Sequence, residues 1–298
     1  MLKGNLLRLT ARLAVVVPFA ALLYAPSPGF ATPLLGTELA SFAVLGASTV
    51  TNTGATTLTG NLGVSPGTSI TGAGTITLTG VTHATDAFAS LAQTQLASAM
   101  TSLALMGAGT VEPADLDGLT LFPGVYTVPA GTSNLTGTLT LDGAGNANAA
   151  WVFQMPSTLI TSPGSVVNVI NTGAGAGVYW NVGSSATLGT TTSFEGNILA
   201  LASITLNTGA TIGCGRALAN TAAVTMDTNT ISIGCLGTGE EGSNGLSGGL
   251  TVPGGGGIPT FLPFAPVPGG TVPEPSTLLL LGSGLVGLAG VAWRRHRK

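Results

Sequence analysis

The sequence predicts an all-β-dominated fold, a three-sided β-solenoid with one long α-helix packed alongside. Three observations support this prediction: short segments of strict alternation, a repeat of 18 to 20 residues, and one helical segment with no Gly before its end. The predicted solenoid domain spans residues 32–235.

Five segments of the chain share one alternating pattern. An aliphatic or other apolar side chain occupies every second position, and small residues, mostly Thr and Ser, lie between. Because successive side chains of a strand point to opposite faces, the pattern places aliphatics on one face and hydroxyls on the other. The segments are 74–80, 137–143, 185–190, 203–208 and 223–228.

The later copies of this pattern recur at a nearly fixed period. Thr187, Thr205 and Thr225 are separated by 18 and 20 residues, the length of one three-sided turn of a solenoid rather than of a hairpin. Segments 196–203 and 215–222 recur at a similar period and are predicted to form a second side. Neighbouring strands lie about 4.7–4.9 Å apart, so equivalent side chains should form straight rows.

Segment 83–107 departs from the strand pattern. It is rich in Ala, Leu and Gln, and it ends at Gly107, a residue type that commonly terminates helices. We expect one long helix along a flank of the solenoid. Its expected core contact is a stripe at helical spacing that consists of Phe88, Leu91, Leu96, Met100 and Leu103.

Charge is scarce and unevenly distributed. Only 6% of the residues are charged, and all of the 8 Lys and Arg lie in the two termini except Arg216. Ten of the 11 acids lie between Glu38 and Glu241, so the body has a strongly negative balance. Nucleic-acid binding requires clustered Lys and Arg that neutralise phosphates, and the composition of the body excludes it.

The N-terminus, residues 1–31, is predicted to be a secretory signal peptide. A basic start precedes an apolar stretch and a cleavage site of small residues, and cleavage is expected after Ala31. An N-terminal membrane anchor is the alternative. Residues 236–271 are rich in Gly and Pro, and this composition predicts a flexible linker.

The C-terminus, residues 272–298, resembles a PEP-CTERM sorting signal of Gram-negative bacteria. Pro273, Glu274 and Pro275 precede an apolar run and a basic tail. The resemblance implies export, recognition by an exosortase-type sorting machinery and cleavage near the motif, after a transient membrane contact of the apolar segment. The basic tail would stay cytoplasmic, and the body would be secreted or held at the cell surface or in the extracellular matrix. A plain C-terminal membrane anchor is the alternative.

The two cysteines end equivalent "IGC" strings. Cys214 and Cys235 are 21 residues apart, which predicts positions on neighbouring turns of the solenoid. The spacing of neighbouring turns falls within the Cα separation that a disulfide accepts, and export permits oxidation. A disulfide is therefore expected, with two free buried thiols as the alternative.

Residues suited to catalysis are scarce. Acid–base chemistry needs positioned His, Lys or paired carboxylates, and the exported body contains one His and one Arg. His83 and Asp86 are interpreted as capping or turn groups at the start of the helix. Segment 142–146 is interpreted as a plain turn rather than a calcium loop, because Asp142 is its only carboxylate. We expect no catalytic residue, no metal and no cofactor.

Rows of Thr and Ser on a flat, uncharged face would present a regular lattice of hydroxyl and methyl groups. A charged group holds water in its own geometry, whereas the methyl and hydroxyl of Thr together can hold water in an ice-like order. The spacing along a solenoid is close to an oxygen repeat of ice, so the rows suggest ice binding. Thr is also common on any solvated sheet face, so the rows alone do not distinguish an ice-binding face from an ordinary solvated one.

Several strings, taken in chain order, resemble the DUF3494-type ice-binding protein family. They are "SFAVLGASTVTNTGATTLTGNLGVSPGTSITG" before the helix, then "LDGLTLFPGVYTV", "LTLDGAGNANAAWVFQM", "SFEGNILALASITLNTGATI" and "RALANTAAVTMDTNTI" after it. The similarity covers residues 39–232. It implies an irregular right-handed β-solenoid of triangular section with a parallel helix, and adsorption to ice or ordered water through one flat face without a cofactor.

The better-known binding faces of that family carry a Thr-Ala/Gly-x-Thr/Asn pattern, which falls here on 46–49, 184–187, 202–205 and 221–225. The final Thr is present in every copy. The first position is not Thr in three copies, and the last copy is one residue longer than the pattern. The resemblance thus implies an ice-binding row of Thr49, Ser184, Thr187, Ser203, Thr205, Thr221 and Thr225. A second row with the same pattern is the alternative, with Thr53, Thr56, Thr208 and Thr211.

A structural role is the competing hypothesis, that of a non-catalytic matrix or adhesive protein whose rows bind extracellular polysaccharide or pack against copies. Exposed aromatic side chains would favour sugar binding. Phe153 and Trp180 instead lie in alternating strand contexts that predict internal positions. The predicted internal position of these aromatic side chains favours ice over polysaccharide as the partner.

Overall fold

The computed structural model describes residues 32–235, 240–253 and 257–267. The predicted signal peptide and the predicted sorting motif at Pro273, Glu274 and Pro275 lie outside these residues. Within the described part of the chain, no helix has both the length and the apolarity that a membrane span requires.

Most of the chain coils into a solenoid with three faces, on which strands of successive turns pair in parallel. Face 1 contains, in spatial order, Thr82–Ala84, Asn61–Val64, Phe42–Gly46, Thr211–Ala219, Ser193–Ala200, Gly177–Val182, Ala150–Met155, Gly124–Thr127 and Thr110–Val111. Face 2 contains Leu159–Ile160, Ala186–Leu188, Ile204–Leu206, Val224–Asp227, Thr49–Thr53 and Ser69–Thr71. Face 3 contains Ile76–Leu78, Thr56–Thr59, Thr230–Ser232, the starts of Thr211–Ala219 and Ser193–Ala200, Val166–Ile170, Thr138–Asp142 and Thr120–Leu121.

Two long strands pass from face 3 to face 1 through a bend. The pairing register shifts between Phe194 and Glu195, and the next residue, Gly196, has a φ of 107°. Gly215 lies beside Gly196 with a φ of 153°, and a Cβ there would overlap the Gly196 carbonyl. Two stacked glycines therefore form this corner because no side chain fits.

The first described strand of face 1 lies within the solenoid rather than at one of its ends. Phe42–Gly46 pairs with Asn61–Val64 on one side and with Thr211–Ala219 on the other. The first turns coil outwards to Thr82–Ala84, the helix follows, and the coil resumes at the opposite end with Thr110–Val111. The last turn of the chain thus stacks on the first, and the repeat order in space differs from that in sequence.

The predicted helix spans Ala87–Ala104. Asp86 is its N-cap, and its Oδ1 accepts a hydrogen bond of 2.8 Å from the Ala89 amide. The carboxylate also lies 2.6 Å from Nδ1 of His83, so both residues act at the helix start, as the sequence predicts. Two elements of 3₁₀ helix, Leu39–Ser41 and Ala73–Thr75, are also present.

The predicted contact stripe of the helix is partly wrong. Phe88 is 37% exposed and Leu91 is 46% exposed. Half of the stripe that packs on face 1 is alanine, which lets the helix lie close to the sheet; its buried members are Ala89, Ala92, Leu96, Ala99, Ser102 and Leu103. Phe88 instead stacks on the ring of His83, with centroids 4.5 Å apart.

The interior of the solenoid is apolar, as the alternating pattern predicts. Phe153 and Trp180 are fully or almost fully buried, and their rings stack with centroids 4.0 Å apart. Tyr126 and Phe194 extend this stack on either side. The internal position predicted for the aromatic rings is confirmed.

The predicted disulfide is present. It joins Cys214 and Cys235, whose Cα atoms are 4.5 Å apart on neighbouring turns. Both residues are buried, so the bond connects the last turn to the turn before it from within the fold.

Residues 240–253 and 257–267, which we call the strap, differ from the expected linker. Leu246 and Leu250 are buried, and Leu250–Val252 pairs antiparallel with Thr32–Pro33 and with Thr260–Phe261. The glycines of the strap are the reason, because they let its backbone lie directly against the solenoid. A Cβ at Gly249 would approach the Cβ of Ala150 to 2.5 Å.

Candidate functional site

Face 2 is built by the alternating segments of the later turns. In Ile204–Leu206 the two aliphatic side chains are buried and Thr205 points outwards, and the strands at Ala186–Leu188 and Val224–Asp227 repeat this arrangement. The predicted division between a buried aliphatic side and a hydroxyl side is confirmed for these strands. The similar segments 74–80 and 137–143 contribute instead to face 3.

One straight row of residues crosses the middle of face 2, and we call it the central row. Its members are Cα partners on six successive strands, in the order Ile160, Thr187, Thr205, Thr225, Thr51 and Thr71. No register shift interrupts the pairs within face 2. Five threonines in succession are thereby held about 4.7–4.9 Å apart by the backbone ladder.

The hydroxyl groups of the central row are available to solvent. Among the described residues, Thr187, Thr205 and Thr225 have no hydrogen-bond partner for their Oγ1 atoms, although each side chain is half-buried by its neighbours. A hydroxyl without a protein partner is satisfied by water. The row therefore orders methyl groups and water-facing hydroxyls at a fixed spacing.

A flanking row lies two residues before the central row on each strand. It consists of Ser185, Ser203, Ala223, Thr49 and Ser69. The hydroxyls of Ser185 and Ser203 lie 2.9 Å apart and hydrogen-bond each other across two turns. This row is small and polar, and it keeps face 2 flat beside the central threonines.

The other side of face 2 carries Asn207, Asp227 and Thr53 two residues after the central row. Asp227 is the one charged side chain at the outward positions of the described face-2 strands. Its Oδ2 accepts a hydrogen bond of 2.5 Å from Thr208 and its Oδ1 one of 3.0 Å from Thr228. These hydroxyls engage the carboxylate at the edge of the face.

The structure brings together only part of the predicted ice-binding row. Thr187, Thr205 and Thr225 lie in the central row, with Ser203 beside them, but Thr49 lies in the flanking row. Thr51, which the sequence motif did not select, takes the place beside Thr225.

Two further predicted residues lie in turns that lead to the face. Ser184 precedes the strand at Ala186–Leu188, and Thr221 precedes the strand at Val224–Asp227. The Thr221 hydroxyl donates a hydrogen bond of 2.6 Å to the carbonyl of Leu201. Both residues border face 2 rather than form its lattice.

The alternative row does not exist as one row. Thr56 is only 1% exposed, and its hydroxyl donates to Asn52 Oδ1 at 2.7 Å, so this residue belongs to the interior. Thr53 and Thr208 lie at the edge of face 2, whereas Thr211 lies on face 3. The four residues share a sequence pattern but sit at different positions of the turn.

Face 3 carries a second row of hydroxyls that the sequence motifs did not reveal. Its members, Cα partners on successive strands, are Ser193, Thr211, Thr230, Thr57 and Thr77. The register shift at Glu195 interrupts the neighbouring positions, and Asp142 lies on the same face. This row is defined by the pairing register of the strands, which the sequence alone does not give.

Burial distinguishes Glu195 from an ordinary surface acid. Burial, followed by the nearby Glu240 carboxylate, raises the pKa of Glu195 to about 8. Among the described residues, its Oε2 has no hydrogen-bond partner. The bend at the border of face 3 therefore holds a half-buried carboxyl group whose pKa lies well above that of a surface Glu.

Comparison with known proteins agrees with this architecture. Residues 44–232 match the model of a family described as ice-binding-like. The chain belongs to this family. Residues 271–298 match the PEP-CTERM protein-sorting motif, so the resemblance of the C-terminus to that signal is confirmed.

Relatives in this family cover most of the chain. An ice-binding protein of Nostoc sp. (strain HG1) is 44% identical over 267 residues, which are 89% of this chain and 88% of the relative. A solved ice-binding protein from an Antarctic biological consortium is 44% identical with a TM-score of 0.62, covering 67% of this chain and 91% of its own. One from the Antarctic ascomycete Antarctomyces psychrotrophicus is 41% identical with a TM-score of 0.63, covering 67% and 98%.

Proposed function

We propose that this protein is exported and adsorbs to ice through face 2, with the central row as the centre of contact and the flanking row beside it. The row of Thr187, Thr205, Thr225, Thr51 and Thr71 carries the proposal, because it holds five threonines in continuous register. The names of the relatives, each an ice-binding protein, support the same activity.

The mechanism is adsorption rather than reaction. The sheet fixes methyl groups and unengaged hydroxyls at a constant spacing, and the buried aliphatic side chains of the same strands pack behind them. Water that is ordered on this lattice can merge with the ice surface, so the bound protein stops growth of the crystal beneath it. No proton transfer, metal or cofactor takes part in such a step.

Face 2 is preferred to face 3 because of charge and coverage. The described outward positions of face 2 carry one carboxylate, Asp227, at the edge, whereas face 3 carries Asp142, and the half-buried Glu195 lies in the bend at its border. Face 1 is covered by the helix and by the strap. Of the three faces, face 2 is the one that combines an uncovered surface with an unbroken register.

The deciding experiment compares ice growth with residues 32–267 and with matched tyrosine variants. Thr205→Tyr places a bulky ring in the central row, and Thr230→Tyr places the same ring on an exposed position of face 3. We expect faceted crystals and a freezing gap in a nanolitre osmometer for the parent and for Thr230→Tyr, and loss of both for Thr205→Tyr. Circular dichroism of each variant establishes that it is folded.

Other results would assign the function differently. Loss of activity on Thr230→Tyr but not on Thr205→Tyr would move the ice contact to face 3. Round crystals and unhindered recrystallisation with a folded parent would reject ice binding. A matrix or adhesive protein in a Gram-negative host, with polysaccharide as its partner, would then be the better proposal, although the described outward positions of face 2 carry no aromatic ring.

A further inference from the structure

The strap follows one corner of the solenoid, the corner between faces 3 and 1. Three side chains at the start of face-1 strands, Tyr179, Asn197 and Arg216, are Cα partners on successive turns. All three are buried. They form a continuous polar row on the outer side of face 1 beside the helix.

This polar row binds the strap through its backbone carbonyls. Arg216 donates to the carbonyl of Asn244 at 2.7 Å and to that of Gly245 at 3.0 Å, and Asn197 donates to that of Leu246 at 2.7 Å. The hydroxyl of Tyr179 lies 2.6 and 2.7 Å from the two carbonyl oxygens that follow, those of Ser247 and Gly248, and shares its single proton between them. Five consecutive carbonyls of the strap are thus held by three consecutive turns.

The end of the strap is held at the same corner. The turn between Thr138–Asp142 on face 3 and Ala150–Met155 on face 1 binds it by four hydrogen bonds. Three of them join the Ala147 amide to the Ala265 carbonyl at 2.6 Å, the Ala265 amide to Asn146 Oδ1 at 3.0 Å, and the Asn148 side chain to the Pro263 carbonyl at 2.9 Å. The fourth joins the amide of Val267 to the carbonyl of Gly145 at 3.1 Å.

The described part of the strap ends at Val267, which is held at this corner. In a three-sided coil, the corner between faces 3 and 1 lies opposite face 2. The sorting motif begins at Pro273, six residues after Val267, and six residues span at most about 22 Å. The apolar run that follows starts at Leu278, and its basic end is of the kind that stays on the cytoplasmic side of a membrane.

We infer that the strap orients the domain at a lipid membrane, with the corner at Gly145 towards the bilayer and face 2 towards the medium. The strap shortens the linker before the apolar run from the whole of residues 236–277 to the stretch between Val267 and Leu278, which spans at most about 40 Å. The corner at Gly145 is thereby tethered nearer to the bilayer than face 2 is. This inference rests on the proposed function only for the role of face 2, since the orientation itself follows from the strap contacts. The consequence is that a chain still held by its tail presents the central row outwards.

Fluorescence energy transfer to the membrane tests the orientation without any measurement on ice. Because Cys214 and Cys235 are joined, one added cysteine can be labelled without reduction. Ala144→Cys labels the exposed turn beside Gly145, and Thr205→Cys labels the centre of face 2. Each chain, residues 32–298, is reconstituted into phosphatidylethanolamine–phosphatidylglycerol vesicles that contain an acceptor-labelled headgroup.

We expect strong transfer from position 144 and weak transfer from position 205. Insertion of twenty Gly and Ser residues after Val267 should make the two transfers similar, because a flexible tether about three times as long lets face 2 approach the bilayer as often as the corner does. Equal transfer at both positions without the insertion, or stronger transfer at position 205, would overturn the inference, as would failure of the chain to associate with the vesicles. Ice growth measured separately on residues 32–267 keeps failure of the proposed function distinct.

Discussion

Arg216 donates a hydrogen bond of 2.7 Å from Nη1 to Oδ1 of Asn197, its Cα partner on the neighbouring turn. The remaining donors of the guanidinium reach the carbonyls of Ala40, Asn244 and Gly245. The only basic residue between the two termini therefore connects the N-terminal 3₁₀ turn, the solenoid and the strap. Burial lowers its pKa to about 10, which still leaves it charged at neutral pH.

Replacement of this cation should destabilise the whole domain. Arg216→Met removes all of its donors, so acceptors in three segments lose this partner, among them the buried Asn197 Oδ1 and the carbonyl of the buried Gly245. Each buried acceptor that is left without a partner costs about 1–3 kcal/mol. We expect the free energy of unfolding in urea at pH 7 to fall by at least about 3 kcal/mol. Thr230→Ala, at an exposed position of face 3, is the control and should change it by less than about 0.5 kcal/mol. A loss for Arg216→Met no larger than that of the control would show that the strap contacts contribute little.

Glu195 should make stability fall as pH rises. Its pKa is raised by burial to about 8 in the fold, whereas the unfolded chain releases this proton near 4.5, so between those values the folded state binds more protons than the unfolded state. Stability is thus highest below pH 4.5 with respect to this group and decreases up to pH 8. Glu195→Gln should remove this decrease and be the more stable protein at pH 8.

Urea titrations of the parent and of Glu195→Gln at pH 5, 6.5 and 8 measure the effect. Asp142→Asn, on face 3, is the matched control for removal of one carboxylate. Parallel stability profiles for the parent and for Glu195→Gln would mean that Glu195 is ionised in the fold and that the described environment does not hold its proton.

The disulfide should contribute to stability rather than to the formation of face 2. It closes a loop of 21 residues, and loops of this size gain about 3 kcal/mol from a crosslink in the chain-entropy model. Cys214→Ser with Cys235→Ser should lower the urea midpoint accordingly, while the folded double variant keeps the ice activity of the parent. The parent treated with a reductant is the control, and it should show the same lower midpoint. An unchanged midpoint in both samples would contradict this role.

The architecture could be predicted because its signals are local. Alternation, the period between Thr187 and Thr205, and the helical composition of one segment each follow from adjacent residues. Register between distant turns is not local. The first turn stacks on the last, so the partner of Thr225 is a residue from the start of the chain, and nothing in the spacing distinguishes Thr49 from Thr51.

Composition and sequence pattern also gave wrong predictions where close packing between residues determines the structure. The Gly-rich residues of the strap have the composition of a linker, yet Gly249 is required because its neighbour Ala150 leaves no room for a side chain. Phe88 and Leu91 fit a helical stripe, but the alanines next to them are what the sheet accepts. Thr56 matches the surface motif and is nevertheless buried, since it occupies an inward position of the strand Thr56–Thr59.

The position of Thr51 gives the most specific test of the central row. Thr51→Tyr places a ring between Thr225 and Thr71, where it would hold the ice surface away from both neighbours. We expect a several-fold loss of thermal hysteresis and of recrystallisation inhibition, comparable to that of Thr205→Tyr although the two positions are distant in sequence. Thr57→Tyr, six residues further on but exposed on face 3, is the matched control and should retain activity. Equal activity of Thr51→Tyr and Thr57→Tyr, with both folded, would show that the first turn of the chain does not belong to the ice-contacting lattice.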